Sequence, residues 1–144
     1  SIAMPTRTTP APGDSPMKRS NIALVWVRLA VVYLLCGMGL GVYMGASGNH
    51  SLFPVHAHMN LLGWVSMALF AWVYDRWPAL AANRLGAAHF WLYNLALPVL
   101  LLGLMALLRG AAWLEPLVGA LSVVLLLAAG LFALNLFRNA RAGD

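Results

Sequence analysis

Between Arg28 and Asp75 the chain carries no Asp, Glu, Lys or Arg, and the same is true from Leu85 to Leu108 and from Pro116 to Phe137. Apolar runs of this length constrain the fold more than any motif. A membrane-crossing helix needs about 20 predominantly apolar residues, because the hydrocarbon core leaves backbone N–H and C=O groups no partner outside the segment. The whole chain of 144 residues is 62% hydrophobic and 9% charged. Soluble domains carry roughly 25% charge. The reading is an all-α integral membrane protein, a four-helix bundle with spans at about 22–45, 54–74, 86–108 and 113–137. Short connections make neighbouring helices antiparallel. Residues 1–20, rich in Pro, Thr, Ser and Ala, read as a disordered N-terminal tail ahead of the 21–144 transmembrane domain. No signal peptide is expected, since the first apolar run is too long and shows no clear cleavage site.

The net charge of +5 does not read as a nucleic-acid surface, because the basic residues flank the apolar runs. With four spans, Arg7, Lys18, Arg19, Arg76, Arg84, Arg138 and Arg141 share one side, and only Arg109 lies on the other. That asymmetry puts both termini in the cytoplasm. Arg28, one to two turns inside the first span, is placed to snorkel to the same headgroups rather than to form a buried ion pair. Cys36 is the single cysteine, so no disulfide framework exists within one chain, and it reads as a packing residue.

The chemistry-bearing residues gather at the head of the second span, in Val55-His56-Ala57-His58-Met59-Asn60-Leu61-Leu62-Gly63-Trp64. Successive residues on a helix turn by about 100°, so residues two apart point in nearly opposite directions. His56 and His58 therefore cannot chelate one small ion, as an i, i+4 pair does. Two separate sites are the alternative, each with one imidazole and a second ligand from elsewhere. An axial haem ligand needs only one nitrogen aimed at iron. The competing reading leaves both rings in the headgroup layer, bonded to Asn49, His50, Ser51 or water. Gly63 offers a small surface where a ring can pack. Trp64, Met59 and Met67 suit an apolar cofactor slot or a packing stripe equally. His50, in the loop, is a candidate further ligand or a plain polar loop residue. Gly37, Gly41 and Gly45 fall on one stripe of the first span and fit close packing within the unit, a subunit contact, or a flat wall against a cofactor. His89 belongs to the other end of the molecule, with Tyr74, Asn94 or a backbone carbonyl as its expected partner.

His56-Ala57-His58 followed by Leu62-Gly63-Trp64-Val65 resembles the tenth helix of the haem-copper oxidase catalytic subunit, the cbb-type class especially. His89-Phe90-Trp91 resembles the opening of the next helix of that class, and Pro78 falls where its connection carries a proline. The resemblance covers about Val55 to Gly103. The NnrS family of haem- and copper-containing membrane proteins has a comparable His-x-His followed by Gly. The resemblance implies that His56 and His58 are axial ligands of b-type haem on opposite helix faces, that His89 is not an iron ligand, and that the protein lies in a bacterial inner membrane. It covers only the last of the oxidase's three four-helix arcs. The copper-binding histidines of the second arc are missing, and Asp75 and Glu115 lie at span ends rather than along a proton path. A complete oxygen or nitric oxide reductase is therefore not expected. A homotrimer would restore the ring of arcs, with haem shared between chains. The expected function is electron transfer, with an unidentified redox partner, or binding of a diatomic gas such as NO or O2. The alternatives are a copper or haem carrier for oxidase assembly, using Met38, Met44, Met59 and Met67 beside the histidines, and an accessory structural subunit.

Overall fold

The structure, a computed structural model, describes residues 21–143. The expected disordered tail, 1–20, lies outside the described residues. All regular structure among the described residues is helical. Helix α1 spans Asn21–Ser47, α2 Phe53–His58, α3 Ser66–Arg76, α4 Pro78–Ala82, α5 Arg84–Leu108 and α6 Glu115–Asn139. Helical segments Asn21–Ser47, Arg84–Leu108 and Ala112–Asn139, the last including a 3₁₀ turn at Ala112–Leu114, are long and apolar enough to cross a membrane. The second apolar segment is helical from Phe53 to Arg76, but in three consecutive pieces, because Met59–Val65 is a π turn set between α2 and α3.

Local chemistry explains the breaks. Gly48 ends α1 at φ +68°, a left-handed position that glycine takes without steric cost. Ser47 and Asn49 accept the next backbone N–H groups, from Asn49 at 3.2 Å and Ser51 at 3.0 Å, and Pro54 opens α2 where no N–H is needed. Gly110, at φ +105°, turns the chain again between α5 and α6. Pro78 starts α4 in the same way as Pro54 starts α2. Asn83 then caps α5, its Oδ1 accepting Gly86 N–H at 2.8 Å.

The chain packs as two antiparallel hairpins. Helix α1 lies along the π turn and α3, and α5 lies along α6. They are joined at the end where α1 begins. There Trp26 is fully buried and stacks on His89 with centroids 4.9 Å apart and planes at 24°. Phe70, Phe90 and Tyr93 meet Trp26 edge-on, and Phe132 of α6 packs on Phe70 and His89. Rings meeting edge-to-face add to what their burial alone contributes. A polar clasp closes the same end. Asn135, 1% exposed, accepts from Asn83 Nδ2 at 2.6 Å and Asn139 Nδ2 at 2.9 Å, and donates to the Leu80 carbonyl at 2.9 Å.

Candidate functional site

Both histidines of the pair are held through the same ring atom. His56 Nδ1 lies 2.7 Å from the Gly37 carbonyl of α1, and His58 Nδ1 lies 2.6 Å from the Pro54 carbonyl one turn earlier in its own helix. A carbonyl oxygen only accepts, so each contact fixes the proton on Nδ1. In the neutral ring Nε2 then carries a free lone pair, the state a metal-ligating imidazole adopts when its other nitrogen donates to a backbone carbonyl.

The first ring approaches α1 closely because glycines stand opposite. A Cβ at Gly41 would meet His56 Cε1 at 2.9 Å, and one at Gly37 would meet the Asn60 side chain at 2.8 Å. Asn60 in turn donates to the His56 carbonyl at 2.8 Å, with its amide 3.4 Å from His56 Nδ1. Thus two members of the expected glycine stripe serve packing inside the chain. Gly45 has open space where its Cβ would be.

His58 looks elsewhere. It lines a groove of about 310 Å³ toward α5 and α6, with Leu62, Ser66, Phe70, Tyr93 and Ser122 among the walls. A shallower hollow of about 170 Å³ lies beside it against Ala57 and Leu61. The π turn begins at the residue after His58. Such turns are rare and often found at functional positions. Here Ser66 N–H reaches back to the Leu61 carbonyl, the Ser66 hydroxyl donates to that carbonyl at 2.7 Å, and the Tyr93 hydroxyl donates to the Leu62 carbonyl at 2.9 Å. Tyr93 thereby ties the widened turn to α5.

The other singled-out residues separate from the pair. His50 is exposed in the loop, its Nδ1 3.1 Å from the Gly48 carbonyl. A ring does pack on Gly63, and it is Tyr33 of α1, whose Cγ lies 2.5 Å from where a Cβ would be. Trp64 and Met59 are each half-buried against the core, and Met67 is fully buried. Met44 is buried while Met38 is exposed, so the methionines do not form one shared face. His89 is fully buried at the opposite end and shares a 2.7 Å hydrogen bond with the Tyr74 hydroxyl, one of its expected partners. Tyr74 follows His58 by sixteen residues, about 24 Å along a helix.

Among the described residues no group of three or more His, Cys, Asp or Glu side chains converges on one point. The donor set does not fit a small chelated ion. Each Nε2 could serve as a single ligand to a group that brings its remaining ligands with it. Asn60, Ser66 and Tyr93 complete the surroundings and carry no sequence signal of their own. No protein-family model, curated protein or solved structure matches this chain.

Proposed function

We propose that the chain is a haem-b-binding membrane protein related to the haem-copper oxidase catalytic subunit. In this reading the segment Phe53–Arg76 is a fourth span, and both termini lie on the cytoplasmic face of a bacterial inner membrane. His56 and His58 each hold a haem iron through Nε2, and each haem is shared with a neighbouring copy in a homotrimer. The observation that carries the reading is the locked pair of Nδ1–H donors. It leaves two lone-pair nitrogens on one helix, with the His56 ring against α1 and the His58 ring over the α5–α6 groove.

The chain's own residues supply orientation and dryness. The Gly37 and Pro54 carbonyls hold the tautomers and the orientation of the two rings. Asn60 steadies His56, while Leu62, Phe70 and Leu125 keep water from the His58 groove. Haem, when bound, would supply an iron able to change oxidation state or to take up a diatomic gas. A groove of about 310 Å³, at the low end for cofactor sites, fits one wall of a shared site rather than a whole one.

The test is an absorption spectrum of detergent-purified protein from haem-replete cells, oxidised, reduced, and reduced with carbon monoxide, with the molar mass read on the same sample. A Soret band in a trimer supports the reading. A shift with carbon monoxide assigns gas binding, and no shift assigns electron transfer. A colourless preparation overturns the haem, and a coloured monomer overturns the sharing between chains.

A further inference from the structure

Away from the histidines, a groove of about 440 Å³ lies between the start of α1 and the end of α3. Its floor is small, with Ala23, Ala68 and Ala71, and Asn21 and Asp75 stand at its rim. Small floors let a further helix come close inside a membrane. Alone that identifies no occupant. The charges do. Arg28 is exposed on α1 one turn below Leu24, which lines the groove. Asp75 is exposed at the end of α3. Neither makes a hydrogen bond or ion pair with another described residue.

A guanidinium facing the apolar belt needs an anion or a route to the headgroups. Asn21 stands 27 residues before Gly48 and Asp75 stands 26 after Asn49, so across this antiparallel hairpin the two share a depth, and Arg28 lies seven residues, about 10 Å, deeper along α1. A long side chain directed toward the start of α1 recovers most of that distance. The two charged groups therefore come to nearly one level. Rotation about an axis normal to the membrane preserves depth, so in a cyclic assembly only groups at one level can meet.

We propose that this groove is the self-association surface of the protein, where Arg28 of one copy pairs with Asp75 of the next. The inference rests on the self-association part of the proposed function and not on haem. It places the contact at the end of the molecule opposite the histidine pair.

The experiment uses the full chain in mild detergent, with molar mass from light scattering after size exclusion and haem absorbance read in parallel. The parent runs as an oligomer, while Arg28→Asp and Asp75→Arg each fall to monomer. The double exchange, Arg28→Asp with Asp75→Arg, regains the parent mass. On co-expression, tagged Arg28→Asp captures untagged Asp75→Arg in several-fold excess over untagged Arg28→Asp, because only the first pairing meets opposite charges. If the reversed charges block insertion, Arg28→Gln and Asp75→Asn keep the chain in the membrane, and each lowers the mass. A monomeric parent, singles that keep the parent mass, or equal capture of both partners overturns the proposal. An effect at Asp75 alone, as from pairing with a basic residue of its own chain, overturns it too. Absorbance that survives in monomers leaves this interface standing and removes only the haem sharing.

Discussion

Gly41→Ala, set against Gly45→Ala one turn away, tests the close approach on which the His56 geometry depends. The new Cβ at position 41 would lie 2.9 Å from His56 Cε1, where carbon atoms rest about 3.5–4.0 Å apart. The ring or the helix must yield by roughly 0.6–1.1 Å. Position 45 has nothing within 4 Å. Alanine gains up to about 1 kcal/mol over glycine within a helix, and that gain is common to both variants. Overpacking costs about 1–3 kcal/mol and falls on position 41 alone. The difference between the two variants is therefore about 1–3 kcal/mol, which corresponds to several degrees in Tm for a chain of this size. Part of that cost is functional. A ring that rotates away from Gly41 weakens the 2.7 Å bond to the Gly37 carbonyl and turns Nε2 off its line. Thermal unfolding in detergent measures the first effect, and haem titration of the same two proteins the second. Gly41→Ala is expected to unfold earlier and bind haem more weakly, with Gly45→Ala at or above the parent in both. Equal stability of the two variants refutes the packing of His56 on α1.

Further outcomes follow from the same contacts. His58→Ala is expected to abolish or strongly reduce Soret absorbance while His50→Ala leaves it unchanged, since His50 bonds only to its own loop; equal loss in both would move the ligand into the loop. Asn135→Leu removes three hydrogen bonds, two joining α6 to the α4–α5 junction and one to Asn139 within α6, at about 0.6–1 kcal/mol each, so unfolding in a denaturing-detergent titration is expected to shift by about 2–3 kcal/mol. Tyr74→Phe leaves the buried His89 ring without its one hydrogen-bond partner among the described residues and is expected to cost about 1–3 kcal/mol in the same titration, with no change in haem absorbance. Gly86→Ala drives a methyl group into the Leu80 backbone carbonyl, which has no flexible end to move aside, and is expected to be the most damaging glycine replacement, at about 3 kcal/mol or more.

What the sequence discloses here is side-chain periodicity, and what it hides is the backbone. Apolar runs without charge announce helices, and three of them appear with membrane-crossing length. The divergence of His56 and His58 follows from 100° per residue and needs nothing else. The acceptors that fix the two tautomers are main-chain carbonyls, which every residue type carries alike, so no residue code marks them. The π turn is hidden for the same reason, because neither Asn60 nor Gly63 dictates a shift from i−4 to i−5 bonding. One route to the site was nevertheless open. Gly48 and Asn49 form the reversal, and antiparallel helices joined there pair residues equally far from it. Gly41 stands seven residues before Gly48 and His56 seven after Asn49, while Gly37 and Asn60 stand eleven away on either side. Tyr33 and Gly63, fifteen and fourteen away, meet in turn. Two glycines facing a histidine and an asparagine were thus implied by the hairpin turn together with the glycine stripe. That register, and not the imidazole spacing alone, brings a carbonyl of α1 within reach of His56. It also predicts that moving the turn by one inserted residue would unseat His56 from Gly37 while leaving His58 on Pro54, a separation that two-site haem titration would read directly.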